Sequence, residues 1–176
     1  HTHTGILLNK KKIERSKEMQ TEINELTFIG KAFPNGMMDA NGTFAAANQE
    51  LEADPAFQAF VKEAGLAGQR ASLIVFGPEN FMYWYGVIAP KDSEVSGLLK
   101  FSLPSARVFQ EEETANAAYF DLPLNFELPR FLDEAGDLGS DFQAQLEENP
   151  NPYILRQLDL GSKKLTKSLY LPVSQN

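Results

Sequence analysis

Phe81-Met82-Tyr83-Trp84-Tyr85-Gly86-Val87-Ile88-Ala89 is the stretch on which the reading of this 176-residue chain turns. Side chains alternate along an extended strand, so Phe81, Tyr83 and Tyr85 share one sheet face while Met82 and Trp84 take the other. A strand with aromatic rings on both faces is either buried twice or wet on one face in a pocket. The run Ser72 to Phe76 precedes it, and Gly77-Pro78-Glu79-Asn80 between the two has the length and chemistry of a hairpin connection.

Upstream, Asp54-Pro55 reads as a helix start, with Asp at the cap and Pro at the first helical position. Phe57, Phe60, Val61 and Ala64 then recur at helical spacing before Gly65. Thr43 to Glu52 is rich in alanine and other helix formers. Ile23, Leu26, Phe28 and Ile29 form a strand-like stretch closing at Gly30, and Phe33-Pro34-Asn35-Gly36 supplies a turn. Residues 1–20 are polar with poor periodicity and read as a flexible or helical lead-in to a single domain over residues 21–176.

Downstream, Leu98 to Gln110 reads as a strand interrupted at Leu103-Pro104, and Glu111-Glu112-Glu113 as a solvated acidic loop. Asn125 to Ala135, broken by Pro129, and Ser140 to Glu148 have helical character, separated by Gly136 and Gly139. Tyr153 to Leu160, a Gly161-Ser162-Lys163-Lys164 turn and Leu165 to Val173 form a second hairpin. The order is strand, helix, strand, strand, given twice. That predicts an α+β domain of duplicated strand-helix-strand-strand halves, with six strands in one antiparallel sheet or in two half-sheets. Helices pack on one face, and a ligand cleft is expected on the opposite concave face or at the seam between the halves.

Composition narrows the chemistry. There are no cysteines, and the two histidines are His1 and His3, so a Ser-His-Asp triad, a zincin helix and a thiolate metal site all lack their residues. No Gly-x-x-x-x-Gly-Lys-Ser/Thr or Gly-x-Gly-x-x-Gly motif offers a phosphate loop. No cofactor or metal is expected. The net charge is −8, and residues 1 to 24 carry five basic side chains against three acidic, which leaves the remainder at −10. Such a body repels phosphate, so direct nucleic-acid binding is not expected. No apolar run approaches the roughly 18–20 residues that span a bilayer, and a soluble cytoplasmic protein is expected.

Three local patterns resemble the gyrase-inhibitor-like (GyrI-like) family, the small-molecule-binding domains of MerR-type and AraC-type multidrug regulators, also found free-standing. They are Tyr83-Trp84-Tyr85-Gly86-Val87, Leu103-Pro104-Ser105-Ala106-Arg107-Val108-Phe109 and the closing Tyr170-Leu171-Pro172-Val173, in that order across residues 21 to 173. The resemblance implies a duplicated fold whose cleft binds apolar, often cationic, aromatic compounds. It also implies a glutamate shortly before an aromatic on the strand after the second helical region. Here that slot reads Asn151-Pro152-Tyr153-Ile154-Leu155, with no acid.

The candidate ligand-binding residues are therefore Tyr83, Trp84, Tyr85, Phe101 and Tyr153, which combine apolar bodies with polar tips or edges. Glu79, beside the aromatic strand, and Glu127, among apolar neighbours in Asn125-Phe126-Glu127-Leu128, are the candidate substitutes for the missing carboxylate. The leading expectation is a free-standing effector-binding domain that sequesters a small hydrophobic molecule or reports it to a regulator or other protein chain. Two other readings stand beside it: a small-molecule hydrolase of the same fold, using a pocket carboxylate as general base, and an inhibitor acting through protein contact on its acidic surface.

Overall fold

The computed structural model describes residues 17–77, 80–136 and 152–171. Its strands are β1 (Lys17–Ile23), β2 (Leu26–Pro34), β3 (Gln69–Phe76), β4 (Phe81–Ala89), β5 (Leu99–Leu103), β6 (Ala106–Thr114), β7 (Tyr153–Asp159) and β8 (Lys164–Tyr170). Helices α1 (Ala45–Glu52) and α2 (Pro55–Glu63) lie between β2 and β3, and α3 (Leu124–Gly136) follows β6. All eight strands join one antiparallel sheet in the order β1-β6-β8-β7-β3-β4-β2-β5.

That order is its own mirror under exchange of each strand with the one four places along. β3 and β7 meet at the centre, β4 and β8 flank them, β2 and β6 come next, and the leading strand of each half lies outermost on the other half: β5 on β2, β1 on β6. The fold is thus α+β, duplicated, with one continuous sheet, as the element order predicts. Each half contains one strand more than expected. β1 occupies residues read as the end of the lead-in, and the stretch interrupted at Pro104 is two strands, since proline cannot donate to a ladder and the chain turns there. β2 also runs on through Gly30 to Pro34. The predicted helix at Ser140 to Glu148 lies outside the described residues.

Local chemistry accounts for the helices. Asp54 caps α2 by accepting from the Ala56 amide at 2.8 Å, with Pro55 at the first helical position, and α2 ends ahead of Gly65 at φ +71°. Lys31 on β2 reaches the same Asp54 at 2.9 Å and ties the helix start to the sheet. α1 begins at Ala45, two residues later than expected, because Thr43 is held in a turn by Asp39 through both its amide and its hydroxyl. α3 accommodates Pro129 within its length.

The helix-covered face holds the larger core. Phe57 and Val61 from α2, Leu51 from α1 and Phe131 from α3 pack on Ile29, Ile74, Val87, Ile154, Leu158 and Leu169 of the sheet. The opposite face carries a second cluster: Phe28, Ala71, Leu73, Leu103, Val108, Leu155 and Tyr170, with Trp84, Phe101 and Tyr153 packed against it. The acidic run read as a solvated loop is corrected here. Glu111-Glu112-Glu113 lies within β6, and Glu111 is only 2% exposed because Lys167 on the paired strand β8 meets it at 2.8 Å and Glu113 at 2.6 Å.

Candidate functional site: an aromatic groove on the uncovered sheet face

β4 divides its aromatic residues as alternation requires. Tyr83 and Tyr85 point under the helices. Tyr83 is fully buried, stacks on Phe44 with ring centroids 4.2 Å apart and donates its hydroxyl to Asn48 Oδ1 at 2.8 Å. Tyr85 donates to Glu52 Oε2 at 2.7 Å, and Arg70 grips both oxygens of the same carboxylate at 2.7 and 3.1 Å. Burial pushes both phenols well above their ordinary range. Burial also works to raise the Glu52 carboxyl, but the hydrogen bonds from Arg70 and Tyr85 outweigh it and hold Glu52 below the usual carboxylate value.

Trp84 points the other way, into a chain of rings. Phe28 meets Trp84 at 6.1 Å, Trp84 meets Phe101 at 5.3 Å, Phe101 meets Tyr153 at 5.3 Å and Tyr153 meets Tyr170 at 5.5 Å, each pair edge to face. Phe101 lies on the outermost strand β5 and Tyr153 on the central strand β7, four steps away through β2, β4 and β3. In a flat sheet those strands stand about 19 Å apart at about 4.8 Å per step. Ring contact across that interval means that the sheet curls into a half-barrel with this face concave, forming a cleft.

Gly30 and Gly86 face each other across β2 and β4. A β-carbon on Gly86 would lie 2.0 Å from the Ile29 carbonyl oxygen, and one on Gly30 would lie 2.0 Å from that of Tyr85. Only glycine allows strands to approach so closely, and glycine at such points lets a sheet bend.

Register lays the concave face out in rows. One row crosses the sheet through Ala32, Trp84, Leu73, Leu155, Ser168 and Gln110. The row beside it runs through Met82, Val75 and Tyr153, whose ring meets that of Tyr170, itself paired with Val108. The floor is closed, with Leu73 and Leu155 fully buried, whereas Trp84, Phe101 and Tyr153 at the mouth are half-exposed. Towards β8 and β6 the face turns polar: Gln110 Nε2 donates to Ser168 Oγ at 3.0 Å, and Gln157 and Thr166 pair across β7 and β8.

The structure therefore brings together Trp84, Phe101 and Tyr153 of the candidate residues, and adds Phe28 and Tyr170 to them. Tyr83 and Tyr85 are separated from that set by the thickness of the sheet. Glu127 is also on the helix side, buried on α3 with Arg130 at 3.2 Å. Glu79 lies outside the described residues. Gln110 and Ser168 escaped the sequence reading, because their meeting depends on the β6–β8 register, whose only trace in the sequence is the shared alternation of two distant strands.

The same architecture occurs in solved structures. SAV2435 bound to tetraphenylphosphonium superposes with a TM-score of 0.55 at 14% identity, over 90% of this chain and 94% of that one. EcmrR in a complex with DNA superposes with a TM-score of 0.52 at 9% identity, over 97% of this chain and 63% of that one. This chain has the GyrI-like fold. Neither a protein-family model nor a curated protein sequence matches it. At such identities the GyrI-like likeness speaks for the backbone, and the residues that face the cleft must be judged from this chain alone. Among the described residues no helix is long and apolar enough to cross a membrane, and no cluster of acidic or histidine side chains is arranged to hold a metal ion.

Proposed function

We propose that this chain is a small-molecule-binding domain whose ligand lies in the concave groove against Trp84, Phe101 and Tyr153. The observation that carries the reading is the half-exposed chain of rings on the sheet face opposite the helices, joined edge to face across four strand steps. The half-exposed rings offer apolar surface to an inserted aromatic group, and a closed apolar floor excludes water beneath it. The bound tetraphenylphosphonium in SAV2435, on the same fold, supports a bulky aromatic occupant here. The fold's occurrence in EcmrR, seen with DNA, supports a role in reporting that ligand to a transcriptional regulator. Such signalling requires the ligand to favour one of two states of the assembly.

Trp84 is the chain's single tryptophan and its own reporter. Titration with a panel of bulky aromatic compounds, charged and neutral, should quench its fluorescence saturably and raise the melting temperature in parallel, with both effects lost in Phe101→Ala. A panel that moves neither signal in the native chain would overturn the assignment.

A further inference from the structure

Resting on that reading of the groove, we propose that its preferred ligand carries no positive charge: an aromatic body against Trp84, Phe101 and Tyr153, with one hydrogen-bonding group facing Gln110.

The argument comes from where the charges lie. The buried carboxylates among the described residues, Glu111 and Glu127, are on the helix side of the sheet and already engaged, by Lys167 and Arg130, as is half-buried Glu52 by Arg70. The two strands that frame the rings on the first half, β2 and β4, send only Phe28, Gly30, Ala32, Pro34, Met82, Trp84, Gly86 and Ile88 to the concave face together with Leu26, and none of these is ionisable. β5 adds Leu99, Phe101 and Leu103.

On the second half, the described carboxylates of the concave face are Glu112 and Asp159. Glu112 is tied to Lys164 at 3.1 Å. Asp159 ends β7, and its Oδ1 accepts from the Gly161 and Ser162 amides of the following turn at 2.9 and 3.0 Å. It is four residues along β7 from Leu155 in the Trp84 row, about 13 Å at the rise of an extended strand. A cation drawn into the groove would exchange water for rings and neutral amides, with no unpaired carboxylate among the described residues of the concave face to offset its desolvation.

What the groove does offer is neutral polarity in the Trp84 row. Gln110 spends one N–H on Ser168 and keeps its carbonyl and its second N–H. Those are partners for a hydroxyl, amide, carbonyl or oxide group on an otherwise apolar ligand.

The test compares tetraphenylphosphonium with triphenylphosphine oxide, which presents three of the same phenyl groups and a neutral P=O acceptor. Both are titrated against Trp84 fluorescence and thermal melting in the native chain, in Gln110→Leu and in Gln110→Glu. The oxide should bind the native chain about ten-fold more tightly than the phosphonium, Gln110→Leu should lose most of that margin, and Gln110→Glu should invert it by placing a carboxylate in the Trp84 row. Equal or tighter binding of the phosphonium by the native chain would overturn the proposal while leaving the groove as the site. If neither compound binds, the groove assignment falls as well. Urea midpoints for both variants, expected close to the native value because residue 110 is half-exposed and the changes are near-isosteric, establish that the comparison is made between folded proteins.

Discussion

Glu134 on α3 hydrogen-bonds Glu111 on β6, carboxyl to carboxyl, beneath the helix layer. Glu111 Oε2 is a buried oxygen that no protein donor satisfies, and a proton held on Glu134 makes that neighbour a donor to the Glu111 carboxylate. Burial, followed by the nearby Glu111 charge, pushes Glu134 up to about 7, while Lys167 and Glu134 hold Glu111 below its ordinary value against its own burial. Glu113, Glu127, Arg130 and Lys167 complete the charged surroundings.

A stability profile follows from that shared proton. Because folded Glu134 binds its proton more tightly than the unfolded chain does, the stability contributed by Glu134 is present at and below an ordinary glutamate value of 4.5 and is lost as pH rises through about 7. Thermal melts between about pH 5 and 8 should therefore fall with pH, and Glu134→Gln, which keeps a donor at every pH, should flatten the slope. An unchanged slope in that variant would show that another group is titrating.

Lys167 is 1% exposed between Glu111 and Glu113, with its ammonium 5.1 Å from the centre of the Phe131 ring. Lys167→Met removes the cation and leaves buried Glu111 and half-buried Glu113 without it. The expected cost is about 3–5 kcal/mol in urea unfolding, the usual range for breaking a buried pair from one side. Adding Glu111→Gln should recover part of it. A loss below about 1 kcal/mol, as for an exposed pair, would mean that water reaches the site.

Gly86→Ala would force β2 and β4 apart, since the added carbon meets the Ile29 carbonyl oxygen at 2.0 Å. A loss of roughly 3 kcal/mol is expected, at the upper end for overpacking. Gly68→Ala, with nothing within 4 Å, is the control and should change the urea midpoint little. Comparable losses in both would remove the special status given to the Gly30–Gly86 pair.

Tyr83→Phe separates the two faces of β4. Asn48 Oδ1 loses its buried donor, so stability should drop by about 1–3 kcal/mol, while ligand affinity measured through Trp84 fluorescence should stay within about two-fold of native. Trp84→Leu should do the reverse, lowering affinity in calorimetry with a smaller effect on unfolding. A large affinity loss in Tyr83→Phe would place the ligand under the helices instead.

Much of the fold is legible in local chemistry. Asp54-Pro55 names its own helix start, Gly77 and Asn80 bracket their hairpin, and the alternation in Phe81 to Tyr85 assigns faces that the structure reproduces. Where the sequence misleads, a distant partner decides. Three consecutive glutamates read as solvated until Lys167, more than fifty positions later, is placed beside them. Lys17 to Gln20 carries no strand signal of its own and is ordered by pairing with β6. Alternation separates Tyr83 from Trp84, yet it gives no hint of which face the helices cover, so Tyr83, Trp84 and Tyr85 are equal candidates for the groove on sequence alone. Curvature is equally silent, because it resides in what glycine permits and not in anything glycine does.

Each half of this molecule wears the other's leading strand. β1 closes the edge beyond β6, and β5 closes the edge beyond β2, so the two halves clasp one another like crossed forearms. A single proteolytic nick in residues 90–98, between β4 and β5, would yield two fragments that each contain the border strand their counterpart lacks, and neither could finish its own sheet. Such fragments should remain associated after cleavage and should reconstitute only together. The arrangement also sets a slow clock for assembly. Lys17 must find Glu112 across almost a hundred residues of chain before the second half has its border, and contacts of that range are paid for in loop entropy before they return anything.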